Sequence, residues 1–268
     1  MMKNTQTPAP LRIAYDRRTF LGTVLVALTS LFLPRRVRAV DKLKPVKAVV
    51  LGQEGYDPSG HLWGMGIDIN KCIGCGRCVE ACKTENHVPR VPFFTRTWVE
   101  RYRIPEHGPT LIDSPDAGIN SFKDDPAGEK VLRSFFVPKL CNHCKNPPCV
   151  QVCPVGATFQ NADGVVLVDA SYCIGCRYCI QACPYGARFL DPVTRTAEKC
   201  TFCYHRIAKG LTPACVEVCP TQARIFGELE KKASPLGRFL RMNKIGVLKP
   251  SLNTEPKVCY ANLDMEVR

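Results

Sequence analysis

The chain has 268 residues, enough for one large domain or two small ones with a core in each. Its 17 cysteines make up about 6% of the residues, far above ordinary usage, so disulfides or metal must figure in the fold. The formal charge of +13 suggests nucleic acid, yet residues 1–39 hold seven Lys or Arg against Asp16 alone, and the 30 basic and 23 acidic residues left do not form the strongly basic domain such binding needs.

The N-terminus reads Asp16-Arg17-Arg18-Thr19-Phe20-Leu21, then an apolar run from Gly22 to Leu33, then Arg35, Arg36, Arg38 and Ala39. Residues 1–39 resemble a twin-arginine signal peptide, with cleavage after Ala39 or retention as an anchor. The run is shorter than the roughly 20 apolar residues a membrane span requires. Such a signal predicts export by the twin-arginine translocase to the periplasm, a route for proteins folded around their cofactors. Thiols that arrived unfolded in that oxidising compartment would pair as disulfides.

Residues 40–62 read as a loop segment punctuated by Pro45, Gly52, Gly55, Pro58 and Gly60. Alternating Met65, Ile67 and Ile69 predict a short strand leading into a first cysteine group, Cys72, Cys75, Cys78 and Cys82, where Lys83 replaces the proline that follows the fourth cysteine elsewhere. Residues 84–138 contain no cysteine. Phe93 to Tyr102 read as strand and Pro105 to Gly128 as surface loop, so the segment reads as an insertion. A second group, Cys141, Cys144, Cys149 and Cys153, precedes a predicted hairpin turning at Asn161 to Gly164. The hairpin delivers the chain to a third group, Cys173, Cys176, Cys179 and Cys183, and a fourth follows at Cys200, Cys203, Cys215 and Cys219. Ala223 to Gly227 read as strand, and residues 229–268 form a C-terminal tail.

Sixteen cysteines in four groups of four point to metal, because a disulfide framework has no reason for that grouping. The spacing Cys-x2-Cys-x2-Cys-x3-Cys in groups one and three is the bacterial iron-sulfur run, in which the fourth thiolate serves a second cluster. A zinc site would more often use two separated Cys-x2-Cys pairs. Gly175 makes tight winding around a cluster sterically cheap, and Ile73 and Ile174 are suited to shield one. Four clusters with their thiolates would carry about −2 each, so much of the basic excess reads as compensation for buried anions.

Trp63 to Gly227 resemble the four-cluster electron-transfer subunits of bacterial molybdopterin oxidoreductases and of complexes with an NrfD-type membrane protein; tetrathionate, polysulfide, thiosulfate and dimethyl sulfoxide reductases are examples. The resemblance rests on Leu140 to Cys149, Ala182 to Phe189, Lys199 to Cys203 and Pro213 to Cys215. It implies an α+β fold of two ferredoxin-like 4Fe-4S dicluster lobes related by pseudo-twofold symmetry, with loop-rich insertions. The outer lobe would comprise residues 63–83 and 199–228, and the inner lobe residues 139–198. Four 4Fe-4S clusters would be held by Cys72, Cys75, Cys78 and Cys219; by Cys200, Cys203, Cys215 and Cys82; by Cys141, Cys144, Cys149 and Cys183; and by Cys173, Cys176, Cys179 and Cys153.

The implied role is electron relay between a quinone-reactive integral membrane subunit and a molybdopterin catalytic subunit, with no catalytic site in this chain and peripheral attachment to the inner membrane through a partner. A carrier for an NrfD-type protein without a molybdoenzyme, or a free polyferredoxin, stays open beside it. His143 and His205 read as hydrogen-bonding loop residues, and Cys259 as a small buried hydrophobe. Cys176→Ser should convert or lose one cluster while sparing the outer pair; equal loss of all four by EPR and iron count would contradict the pairing.

Overall fold

A computed structural model describes residues 55–123 and 130–267; the segment read as an export signal lies outside them. In chain order the elements are β1 (Trp63–Asp68), α1 (Arg77–Glu85), β2 (Thr97–Pro105), β3 (Leu111–Asp113), β4 (Val131–Leu140), α2 (Pro148–Gln151), β5 (Thr158–Gln160) and β6 (Val166–Val168). They continue with α3 (Tyr178–Gln181), β7 (Arg188–Leu190), β8 (Ala197–Lys199), α4 (Tyr204–Ile207), α5 (Ala214–Glu217), β9 (Arg224–Glu228), α6 (Pro235–Met242), β10 (Ile245–Gly246) and β11 (Val258–Ala261).

The predicted strand before the first cysteine group is β1, with Ile69 passing into a 3-10 turn. Successive strand residues face opposite sides, so Met65 and Ile67 enter the core on one face while Gly64 and Gly66 occupy the other. Glycine is required at Gly66 because α6 crosses that face: a Cβ there would lie 2.5 Å from the Phe239 ring. β1 pairs antiparallel with β9, from Trp63 opposite Glu228 to Ile67 opposite Arg224. The first and fourth cysteine groups are thereby tied into one sheet.

The C-terminal segment is more than a tail. β11 lies parallel to β1 on its other edge, Met65 opposite Val258, and β10 extends the sheet to the order β10-β11-β1-β9. Val258 and Tyr260 are fully buried, and the Tyr260 hydroxyl donates to the Pro138 carbonyl at 3.1 Å. Cys259 is half-buried on β11, and burial pushes its thiol up to about 11.

The segment between the first two cysteine groups also departs from the loop reading. β2 begins four residues later than expected, since Arg90 to Phe93 form a turn, and it pairs with both β3 and β4 in a three-stranded antiparallel sheet. Val99, Tyr102 and Val137 from this sheet are buried in the main core. The Pro105 to Gly128 region therefore contributes β3, with residues 124–129 outside the description. The predicted hairpin is β5–β6, with Phe159 opposite Leu167; a second hairpin, β7–β8, follows the third cysteine group. No helix among the described residues is long and apolar enough to cross a membrane.

Leu236 is fully buried under β1 and β9. Leu236→Ala should cost about 2–5 kcal/mol, as large-to-small changes in packed cores do. Chemical denaturation of the holoprotein checks this; a loss below 1 kcal/mol, on the order of a surface change, would contradict the packing of α6.

Candidate iron-sulfur sites

Each cysteine group uses the same local device. The residue before the second cysteine is left-handed in all four: Gly74 at φ 70°, His143 at 43°, Gly175 at 69° and Phe202 at 54°. The reversal turns the loop back on itself between the first and second sulfurs, and for His143 and Phe202 it is a conformation that bulky residues seldom adopt. Gly175 has no substitute, because a Cβ would lie 2.5 Å from the Arg195 carbonyl oxygen.

The third cysteine is the second residue of a helix in every group: Cys78 in α1, Cys149 in α2, Cys179 in α3 and Cys215 in α5. In α1 residues four apart lie on one helix face, about 6 Å apart along the axis, so Cys78 and Cys82 project to the same side, while in the other three groups the fourth cysteine lies two residues past the helix end. Proline after Cys153, Cys183 and Cys219 cannot continue the helix, and those helices are four residues long. Lys83 lets α1 run on to Glu85; its buried ammonium donates to the carbonyls of Pro89, at 3.0 Å, and Phe94.

Sulfurs from distant groups converge. Cys72, Cys75, Cys78 and Cys219 line one cavity. Cys82, Cys200, Cys203 and Cys215 line a second, and Cys141, Cys144, Cys149 and Cys183 a third. Three quartets expected to share clusters are thus brought around three small cavities. The fourth quartet is described by its neighbours: Cys179 and Cys173 share an apolar cluster with Cys149, Val150 and Val152, while contacts of Cys153 run to the N–H groups of Val155, Ala157 and Thr158. Cys75 and Cys176 are exposed, and no cysteine among the described residues forms a disulfide. Ile73 and Ile174 do not bury: each stands out from its tight loop, 57% and 65% exposed.

Burial pushes Cys72 and Cys144 up to about 11 and Cys200 and Cys215 up to about 12, with neighbouring thiolates adding to the rise in each. Cys153 differs: burial raises it, but the three backbone N–H donors outweigh burial and bring it below the usual thiol range. A cationic metal core reverses such shifts, because coordinated thiols are deprotonated outright. Among the described residues no three His, Cys, Asp or Glu side chains converge on a single ion. In a cubane each thiolate meets a different iron, so the cysteine quartets surround a cavity instead of a point.

The surroundings fit an anionic group. Among the described residues seven Lys or Arg are buried against three Asp or Glu. Arg224 donates to Cys78 Sγ at 3.3 Å and Arg188 to Cys149 Sγ at 3.1 Å, and Arg224 Nη1 and Arg188 Nε have no protein partner. The Lys199 ammonium, fully buried, donates to the carbonyls of Val166 and of Cys200, the latter at 2.7 Å. Lys257 Nζ donates to the carbonyls of His143 and Gly164 at 2.8 and 2.9 Å. Buried cations lacking protein counterions are costly unless an anion occupies the neighbouring cavity.

His143 keeps the structural role read from the sequence: its Nδ1 accepts the Val166 N–H at 3.1 Å, and its ring stacks on Phe202 with centroids 3.8 Å apart. His205 Nε2 pairs with Glu85 at 2.6 Å. The two arginines and Asn86, whose amide lies 3.5 Å from Cys203 Sγ, escaped the sequence reading. A signal was present: Cys183-Pro184-Tyr185-Gly186-Ala187-Arg188 and Cys219-Pro220-Thr221-Gln222-Ala223-Arg224 repeat one pattern.

Two family models match, both described as 4Fe-4S dicluster domain, at residues 71–157 and 132–229. The sequence is 44% identical to the B subunit of tetrathionate reductase from Salmonella typhimurium, over 76% of its own length and 74% of the relative's. It is 39% identical to the B subunit of polysulfide reductase from Wolinella succinogenes, over 73% and 92%, and 39% identical to protein NrfC of Escherichia coli K12, over 75% and 80%. This protein belongs to that family of iron-sulfur electron-transfer subunits. Its two dicluster domains and its cysteine count fit four 4Fe-4S clusters, and its role in an oxidoreductase complex is electron transfer without a catalytic site of its own.

Gly175→Ala should reduce iron by about one cluster, since the Cβ would push the Cys176 loop off Arg195. Gly156→Ala, also left-handed but with open space around it, should leave iron content unchanged. Equal iron in both variants would show that the Gly175 contact does not shape the site.

Proposed function

We propose that this chain is a periplasmic relay carrying single electrons through four 4Fe-4S clusters between a quinone-reactive integral membrane subunit and a molybdopterin catalytic subunit. The observation that carries the ligand assignment is the gathering of cysteines distant in sequence around three shared cavities. The clusters supply one-electron storage. The protein's part is to hold sixteen sulfurs, neutralise their charge and exclude water.

The assignment gives Cys72, Cys75, Cys78 and Cys219 one cluster, and Cys82, Cys200, Cys203 and Cys215 the next. Cys141, Cys144, Cys149 and Cys183 hold the third; Cys153, Cys173, Cys176 and Cys179 hold the fourth. Neighbouring sulfurs support that order: Cys215 feels the Cys78 thiolate, Cys200 feels Cys141, and Cys149 packs in one cluster with Cys179. The relay would run from the exposed Cys75 end, through a buried middle at His143 and Phe202, to the exposed Cys176 end. Pseudo-twofold symmetry between an outer lobe (63–83 and 199–228) and an inner lobe (139–198) is supported by Arg224 and Arg188, each five residues after a fourth cysteine and each donating to a third one.

Periplasmic location rests on the twin-arginine pattern at Arg17 and Arg18. A second arrangement stays beside it, a carrier for an NrfD-type membrane protein without a molybdoenzyme. Anaerobic purification should return about 16 iron and 16 acid-labile sulfide per chain. Zinc without sulfide would sink the relay. A mild-detergent pull-down of the tagged native protein should recover a membrane subunit with a molybdoenzyme; a membrane subunit alone selects the NrfC-like arrangement, and neither partner leaves a free polyferredoxin.

A further inference from the structure

The two buried arginines occupy matching places. Arg224, 2% exposed, opens β9, and its guanidinium reaches both Cys78 Sγ and Thr97 Oγ1, at 3.3 and 2.9 Å. Arg188, 5% exposed, opens β7 and reaches Cys149 Sγ and Thr158 Oγ1, at 3.1 and 3.2 Å. In both, a threonine hydroxyl fixes the fork while one nitrogen is aimed at the third cysteine of a quartet. Neither has an acidic partner among the described contacts, so each presents an uncompensated unit charge to its cavity. The Arg224 guanidinium also reaches Cys215 of the neighbouring quartet, whose sulfur acts on it less strongly than that of Cys78. The remaining donors to the sulfurs of the other two quartets are neutral, among them Asn86 Nδ2 with Cys82 and Cys203, the Thr158 N–H with Cys153 and the Ala197 N–H with Cys173.

We propose that Arg224 and Arg188 are potential-setting residues, which make the clusters of the Cys72/75/78/219 and Cys141/144/149/183 quartets the more easily reduced member of each lobe. Reduction adds one negative charge to a cluster, and a fixed cation hydrogen-bonded to its sulfur stabilises that form over the oxidised one. The cation lies at low dielectric, where solvent screens it little. The neighbouring cluster in the lobe feels the same charge less strongly, since Cys78 acts on Arg224 more than Cys215 does and Cys149 on Arg188 more than Cys179, and so it shifts less. Along the relay this gives an alternation, with an easily reduced site followed by a less easily reduced one in each lobe. Burial opposes the guanidinium charge of both residues, but surrounding thiolates outweigh it, so the two stay cationic.

The inference rests on the ligand assignment proposed above, and the test separates the two. In the intact complex, wild-type protein with about 16 iron and four resolved EPR signals secures the assignment; fewer clusters would fail that reading, whatever the arginines do. Redox titration of Arg224→Gln, which removes the charge and keeps a hydrogen-bond donor, should lower one midpoint enough to change its oxidised-to-reduced ratio at least tenfold, about 59 mV for one electron. Arg224→Lys should restore most of the shift. Arg188→Gln should move a different signal. Thr97→Val keeps every charge while removing the Arg224 tether and the hydroxyl's own bond to the Lys139 carbonyl, and should shift the same signal as Arg224→Gln by less. Four unchanged midpoints in both glutamine variants, or equal shifts with glutamine and lysine, would overturn the proposal. So would cluster loss in Arg224→Gln joined to unchanged midpoints in Thr97→Val, since the arginine would then be a strut.

Discussion

Buried sulfur and buried cation depend on each other throughout this structure. Burial drives the thiols of Cys72, Cys144, Cys200 and Cys215 upward, so their thiolate forms are costly alone. Arg188, Lys199, Arg224 and Lys257 are buried beside them with few or no acids at hand, which is costly in the opposite sense. Each cost is removed only when the cavities hold a group that turns thiols into thiolates and leaves a net negative charge for the cations. The interior is therefore incomplete as a purely protein structure, and metal binding contributes directly to folding free energy. The same constraint accounts for part of the basic excess, seven Lys or Arg against three Asp or Glu being buried among the described residues.

The second organising feature is geometric. A helical turn precedes the fourth cysteine in every group, and in the first and fourth groups the third and fourth sulfurs line different cavities. Cys78 lines the cavity completed by Cys219, while Cys82, four residues on, lines the one built by Cys200, Cys203 and Cys215. A turn of helix thus bridges neighbouring cavities, and the reciprocal donation locks residues more than a hundred positions apart. The β1–β9 ladder repeats the tie at the backbone level. Loss of either half would leave the other with open cavities and an unpaired strand edge.

Legibility followed the range of the interaction. Cysteine spacing, the β5–β6 hairpin and β1 were readable because each is fixed by residues within a dozen positions. The parallel pairing of β1 with β11 was not, since Met65 and Val258 are far apart in sequence and the short run Lys257 to Tyr260 carries no strong period. The three-stranded sheet of β2, β3 and β4 was hidden for a related reason: Pro, Gly and Asp mark turns equally well within a sheet and in a loop. Ile73 and Ile174 were misjudged as shields because hydrophobicity alone does not report which side of a tight left-handed loop faces the solvent. Arg188 and Arg224 stand in a repeated Cys-Pro-x-x-Ala-Arg pattern, but spacing along the chain does not report that each guanidinium is buried against the third cysteine of a distant group.

Exposure along the proposed relay is graded in a way that suits electron transfer. Cys141, Cys144, Cys200, Cys203 and Cys215 are buried, and the Phe202 ring sits stacked on His143 between the two middle quartets. Water near a cluster would add a variable, mobile dipole to its environment, so a dry middle keeps potentials fixed by protein groups such as Lys199 and the two arginines. Cys75 and Cys176 instead reach the surface, next to Ile73 in one loop and to Ile174, Tyr172 and Tyr178 in the other. Those side chains leave the end sites open while giving a partner apolar surface to cover. The exposure of Ile73 and Ile174 then has a physical sense under the proposed relay: a protein docked at either end would cover apolar surface and expel water from the end site.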